Sequence, residues 1–159
     1  MSVQLAPDLR LEVLSDEWVT QVAEIEQLSF PTPWSEKLIR DEIKKDYAFA
    51  LGLTFGDQLI GYAINNLITD ELHILTLAVH PSFRERGHGA HLVDGLLTEA
   101  KNRGARSVFL EVRKGNLAAQ KLYERFEFCF IGIRKEYYSD NREDAFVLKR
   151  LIRSISREI

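Results

Sequence analysis

The chain has 159 residues, 45% hydrophobic and 28% charged, with a formal net charge of −3 and a single cysteine. Its length suits one domain that buries roughly 70% of the surface exposed by its unfolded form, and its composition is that of an ordinary soluble globular protein. One cysteine excludes an internal disulfide and suits a reducing, cytoplasmic setting; a small negative charge argues against an affinity for nucleic-acid backbone; and no apolar run is long enough to span a bilayer.

The opening MSVQLAPDLR has neither a basic leader nor an apolar core and does not read as a secretory signal. Leu9, Leu11 and Val13 alternate with polar residues as a first strand. Ser15, followed by Asp16 and Glu17, starts a helix that carries Trp18, Val22, Ile25 and Leu28. That helix ends near Phe30-Pro31-Thr32-Pro33, because proline lacks an N–H and disfavours helix in the residue before it. Ser35 and Glu36 open a second short helix with Leu38, Ile39 and Ile43.

From Ala48 the period changes to two. Ala48 to Phe55, a Gly56-Asp57 turn and Gln58 to Asn66 predict a β-hairpin with a two-residue primed turn. Asp70 to Val79 adds a third strand to the meander. A helical pattern with Leu92, Val93, Leu96, Leu97 and Ala100 on one side then closes at Lys101, Arg103 and a C′ glycine, Gly104. Ser107 to Val112 is a strand, and Asn116 is the N-cap of a helix from Leu117 to Arg125. Phe128 to Tyr137 and Ala145 to Leu151 form a final antiparallel pair. Cys129, inside Phe128-Cys129-Phe130, reads as a buried structural thiol. The order β-α-α-β-β-β-α-β-α-β-β is an α/β chain, a mixed sheet with helices on both faces. No linker divides residues 1–159, and 152–159 is a basic, amphipathic tail expected as a surface helix or frayed end.

Two stretches carry chemistry. Between the third strand and the helix after it lie Pro81, a basic turn, and glycines at 87 and 89. A strand feeding a glycine-containing loop that opens a helix aims several backbone N–H groups and the positive end of the helix dipole at one spot, a binding place for anions. The loop is neither a dinucleotide fingerprint nor a Walker A loop. Arg84, Glu85 and Arg86 are also compatible with a solvated turn. The second stretch is Val108-Phe109-Leu110-Glu111-Val112, apolar but for one acid. Such a run reads as buried on both faces, as in parallel pairing, where a carboxylate is costly unless paired or functional. Glu111 is thus either ion-paired with Arg113 or another cation near the strand end, or a general base of raised pKa. Tyr123, twelve residues on, lies among Leu117, Leu122 and Phe126 and is otherwise a packing residue.

Arg84, Gly87 and Gly89 match the Arg/Gln-x-x-Gly-x-Gly/Ala signature of the GNAT acetyltransferases, and LEVRKGNLAAQKLYERFEF closely resembles a block of their RimI-type branch, which modifies the N-terminal alanine of a ribosomal protein. The segment LSFPTPWS, the pair Tyr137-Tyr138 and Glu143-Asp144-Ala145 resemble further elements of that branch, in order, over most of residues 10–150. The resemblance implies a single-domain GNAT fold with a six- to seven-stranded sheet and acetyl-CoA as cosubstrate. Glu111 matches the general base and Tyr123 the acid that protonates the departing thiolate. Leu77, Ala78 and Val79 match the strand whose backbone receives the pantetheine. Arg84, Glu85, Arg86, Gly87, His88, Gly89 and Ala90 fall on the pyrophosphate loop, and Asn116 matches a residue that contacts CoA. Phe30, Pro31, Tyr137 and Tyr138 match the walls of a peptide slot, with Tyr138 on the peptide backbone.

Asp70 and Glu71 either meet a basic residue just after the substrate's N-terminus or form a solvated turn. Glu85 stands where a basic or polar residue is common, and Glu127 where the family usually has a glycine, which bears on the aim of Tyr123. His73, His80, His88 and His91 lack the partner ligands of a metal set, so no metal is expected. The implied partner is the N-terminal peptide of a ribosomal protein, met by a monomer or weak dimer without nucleic acid or membrane. A GNAT acting on lysine or a small amine, and a non-catalytic CoA-binding regulator, remain the alternatives.

Overall fold

A computed structural model describes residues 8–152. Among them seven strands form one mixed sheet in the order β1-β2-β3-β4-β5-β7-β6. The elements in chain order are β1 (Leu9–Val13), α1 (Val19–Ser29), α2 (Glu36–Ile43), β2 (Ala48–Phe55), β3 (Gln58–Ile68), β4 (Glu71–Val79), α3 (His88–Asn102), β5 (Ser107–Arg113), α4 (Leu117–Arg125), β6 (Cys129–Arg134) and β7 (Ala145–Leu151). This is the expected order, with a 3-10 turn ahead of α1 and another ahead of α3. The described chain forms two compact units, residues 8–64 with 76–92 and residues 65–75 with 93–152. No helix among the described residues is long and apolar enough to cross a membrane.

In the first unit β1 runs antiparallel to β2, Leu9 opposite Phe55 and Val13 opposite Leu51. Gly56 takes a positive φ of 58° and Asp57 does not, the pattern of a primed turn with glycine at its first central position. Val19, Val22, Ile25, Ile39, Leu59 and Tyr62 are buried together in the core of this unit. Ser35 caps α2, its hydroxyl accepting from Leu38 N–H at 3.1 Å. Ser15 makes no such cap. Its side chain is drawn to Glu17 instead, and the chain enters α1 through the 3-10 turn Asp16–Trp18. Phe30, ahead of Pro31, is extended at φ −128°, ψ 144° and stops α1 there.

In the second unit β5 pairs parallel with β4 over Glu71↔Ser107 to His73↔Phe109, and antiparallel with β7 over its full length. The expectation of a strand buried on both faces is corrected accordingly: Val108, Leu110 and Val112 are buried, whereas Phe109, Glu111 and Arg113 are only half-buried. In α3, Val93, Leu96, Leu97 and Ala100 turn to the interior as the periodicity requires. The end of that helix is a Schellman motif, with Ala105 N–H on Ala100 C=O, Gly104 N–H on Lys101 C=O, and Gly104 at φ +90°. Cys129 is exposed rather than buried, because β6 is the edge of the sheet and almost every residue in it meets solvent. The tail from residue 153 lies outside the described residues.

Candidate active site

The end of β4, the loop after it and the first turn of α3, residues 76–92, belong to the first unit. His80 begins the turn after β4, its Nδ1 accepting from Ser82 N–H at 3.0 Å. Arg84 then works inward. Its Nε donates to Val79 C=O and its Nη2 to Ser29 Oγ, each at 2.9 Å, so one guanidinium laces the loop to the ends of β4 and α1. Glu85 and Gly87 take left-handed backbone at φ 62° and 84°. A Cβ added at Gly87 would meet no atom within 4 Å, so the space before the loop is open. The first backbone bond into α3 is His91 N–H to Gly87 C=O at 3.1 Å. The amides of His88, Gly89 and Ala90 precede it and are the orphan donors of the first turn. Burial, with His91 and Arg86 beside it, lowers the pKa of His88 and keeps its ring neutral at neutral pH. This donor set, with its open glycine, is chemistry that fits a pyrophosphate.

Phe30, at the end of α1, is packed on the core cluster, and Pro31 is exposed. Near them is a residue that the sequence reading passed over. Glu26 is 1% exposed, and its carboxylate accepts from the hydroxyls of Tyr62 and Thr76 and from Trp34 N–H. A buried carboxylate is costly unless its oxygens are hydrogen-bonded, and these donors tie α1 to β3, to the segment after Phe30, and to β4 one residue before Leu77. Burial, and then the Glu26 charge, raise the pKa of the Tyr62 phenol well above its ordinary value.

The acid and the tyrosines belong to the second unit. Glu111 does not pair with Arg113. Its Oε2 accepts from Arg134 Nε at 2.9 Å, a cation that the sequence reading did not name. Ala145 of β7 lies opposite both Arg113 and Arg134, and Val147 opposite both Glu111 and Gly132, so Arg134 is level with Arg113 and stands diagonally from Glu111. A long side chain on β6 therefore reaches across one strand to Glu111. Glu111 Oε1 has no hydrogen-bond partner among the described residues. Arg113 instead binds Asp140 at 2.9 Å and Glu143 at 3.2 Å, with its guanidinium 3.9 Å from the centre of the Tyr138 ring.

Tyr123 is buried in α4, edge-on to Phe128, and its hydroxyl has no hydrogen-bond partner among the described residues. Burial, then Tyr138 nearby, push its pKa up, so the phenol holds its proton. Burial is also the main cause at Tyr138, pushed up to about 12, and at the less buried Tyr137. Asn116 caps α4 with its amide oxygen accepting from Ala119 N–H at 3.1 Å, and its amide nitrogen makes no hydrogen bond among the described residues. Glu127 sits at φ 67° in a Schellman motif, with Phe128 N–H on Tyr123 C=O and Glu127 N–H on Glu124 C=O. The turn that a glycine would make is thus made by glutamate, and the C-terminal end of the tyrosine's helix keeps its geometry.

Glu111, Tyr123, Tyr137 and Tyr138 all belong to this unit, with the Glu111 charge adding to the rise at Tyr137 and Tyr138, and Tyr138 in turn to that at Tyr123. Asp70 and Glu71 stand away from Glu111. Glu71 is level with Ser107, four residues before Glu111 or roughly 13 Å along the strand. Its carboxylate faces His73 at 3.3 Å.

The acetyltransferase (GNAT) family model matches residues 19–128. A [ribosomal protein bS18]-alanine N-acetyltransferase of Salmonella typhimurium is 35% identical over 140 residues, 87% of this chain and 94% of that protein. Its counterpart from Escherichia coli K12 is 36% identical over 126 residues, 78% and 84% of the two chains. Among solved structures, the ribosomal-protein-S18-alanine N-acetyltransferase from Escherichia coli superposes with a TM-score of 0.86 at 30% identity, covering 95% of this chain and 98% of the other. Ard1 from Thermoplasma volcanium superposes with a TM-score of 0.85 at 25% identity, over 92% and 99%.

Proposed function

The chain belongs to the acetyltransferase (GNAT) family, and from that membership we propose that it moves the acetyl group of acetyl-CoA onto the N-terminal amine of a protein, with the alanine of ribosomal protein bS18 as the acceptor. The observation that carries the acceptor is the 35% identity, over nearly the full length of both chains, to an enzyme named for that alanine. Acetyl-CoA supplies an acyl group already activated as a thioester, open to direct attack by an amine. In the first unit the residues suited to hold it are the backbone of Leu77, Ala78 and Val79 and the loop from Arg84 to Ala90.

The remaining chemistry belongs to the protein. An amine attacks only when neutral, and an α-amine at pKa ~8 loses its proton more easily than lysine at ~10.4, by about 3 kcal/mol. The Oε1 of Glu111 is the acceptor for that proton, directly or through water, while Oε2 stays on Arg134. The Tyr123 phenol, unpartnered and kept protonated by burial, is the donor for the leaving sulfur. Backbone N–H groups of β4 stabilise the tetrahedral oxyanion. Tyr137 and Tyr138, in the same unit as Glu111, are the residues assigned to the peptide. Asp70 and Glu71 lie at the other end of the strand from Glu111, away from the amine itself.

The test is transfer from acetyl-CoA to peptides with a free N-terminal alanine, serine or methionine, read by mass spectrometry beside lysine peptides with blocked N-termini. Acetylation of the free alanine α-amine is expected. Transfer confined to the blocked lysine peptides would refute the acceptor, and acetyl-CoA binding without transfer to any amine would refute the enzyme. Glu111→Gln should lower turnover with acetyl-CoA affinity retained.

A further inference from the structure

The connection between β6 and β7 carries Tyr137 and Tyr138 and runs over ten residues, 135–144, with no regular structure. It is nevertheless tied down. Tyr138 N–H donates to Glu143 C=O at 3.2 Å, and Arg142 N–H to Tyr138 C=O at 2.8 Å. Asp144 accepts from Glu136 N–H at 2.9 Å, and Lys114 N–H donates to Asp144 C=O at 3.0 Å. Glu136 and Arg142 hold left-handed backbone at 48° and 58°, which persists only where surrounding bonds over-determine it.

The centre of this arrangement is one side chain. Arg113 comes from β5, on the same strand face as Glu111 and two residues beyond it. Its Nη2 meets Asp140 at 2.9 Å, and its Nη1 meets Glu143 at 3.2 Å and Asn141 at 3.3 Å. Its Cζ lies over the Tyr138 ring, 3.9 Å from the ring centre. The other oxygen of Glu143 accepts from Gly115 N–H at 2.7 Å, and a Cβ at residue 115 would stand 2.9 Å from that oxygen. Gly115 is thus the residue that lets the carboxylate in. A planar guanidinium can fork between acceptors and stack on an aromatic ring at once, which a lysine ammonium cannot.

We infer that Arg113 is a positioning residue for the acceptor: by clamping Asp140, Asn141 and Glu143 on one side and Tyr138 on the other, it holds the 135–144 connection as a fixed wall of the peptide site, separately from the proton-transfer pair. The inference rests on the N-terminal acetyltransferase reading above. It also explains why LEVR, GN, YY and EDA occur together in the sequence, since Arg113, Gly115, Tyr138 and Glu143 are parts of one clamp.

Arg113→Lys keeps the charge and removes the fork and the stack, so it separates clamping from simple neutralisation. With a free-alanine peptide, KM for the peptide should rise roughly tenfold as the clamp's ordering is lost. KM for acetyl-CoA should stay within about twofold, and kcat should fall less than KM rises. Asp140→Asn, which loosens one partner, should move the peptide KM the same way by about threefold and keeps the test open if the lysine variant fails to fold. An unchanged peptide KM in both variants would overturn the inference, as would equal losses for both substrates that follow the fall in Tm. Glu111→Gln, assayed alongside, keeps the two readings apart. Full activity in that variant would sink the proposed chemistry, whereas an inactive Glu111→Gln beside an unaffected Arg113→Lys would sink the clamp alone.

Discussion

Replacing Glu127 with glycine should stabilise the protein, although it removes a side chain and adds a flexible residue. Glu127 occupies the C′ position of α4 at φ 67°, with the bonds Phe128 N–H to Tyr123 C=O and Glu127 N–H to Glu124 C=O around it. A residue with a Cβ pays about 1–2 kcal/mol to sit in the left-handed region. Glycine removes that strain but gives the unfolded chain more freedom, a cost of about 0.4–1 kcal/mol. The side chain itself offers little to lose, since its only ion pair among the described residues is with Arg150 at 3.9 Å and the side chain is 80% exposed. The balance is a gain of about 0.5–1 kcal/mol, or about 1–4 °C in Tm for a chain of this size. Urea denaturation should show a higher midpoint with an unchanged slope, and acetyl transfer should keep its rate, because the Schellman bonds that end the tyrosine's helix survive. A lower midpoint would refute the strain argument. A changed transfer rate at unchanged stability would show that Glu127 acts on Tyr123 by some route other than this turn.

Gly87→Arg forces a side chain into left-handed backbone at φ 84° and into the open space before the loop; acetyl-CoA affinity by calorimetry should fall tenfold or more, about 1.4 kcal/mol, and retained affinity would contradict the loop's role. Tyr123→Phe removes a hydroxyl with no hydrogen-bond partner among the described residues, so thermal unfolding should hardly move while transfer slows about 10²- to 10⁴-fold; wild-type rates would make Tyr123 a packing residue. The Glu143 carboxyl lies below its ordinary 4.5, first because of Gly115 N–H and then, against a desolvation cost, because of Arg113. A depressed carboxyl stabilises the fold fully above the unfolded pKa and loses that contribution as pH falls through the folded one. Tm measured downward from about pH 6 should therefore decline below about pH 4.5, and less steeply in Glu143→Gln; identical slopes would remove Glu143 from the acid-labile set.

Much of the fold is written in short stretches, because the physics that decides it is short-ranged. Alternation over Ala48–Phe55, the proline after Phe30, the Ser35 and Asn116 caps and the Gly104 Schellman end each depend on residues within one turn or hairpin. Glu26 was legible too: it falls seven residues after Val19 and four after Val22, on the buried stripe of α1, where an acid is out of place. Local signals erred where another part of the chain made a better offer. Ser15 has the chemistry of a cap, but its hydroxyl turned to Glu17, and Cys129 has apolar neighbours, but its strand became an edge.

The partners of the charged groups were decided by tertiary structure alone. Glu111 and Arg113 are neighbours on one strand face, and sequence proximity favoured pairing them. The strand order β5-β7-β6 instead brought Arg134 from 23 residues away to Glu111, and the 135–144 connection brought Asp140 and Glu143 to Arg113. An ion pair forms where two side chains can reach each other, and reach is fixed by register across strands that the local pattern does not number. The sequence by itself determined which elements form and which residues carry chemistry; only the folded sheet decided which charge answers which.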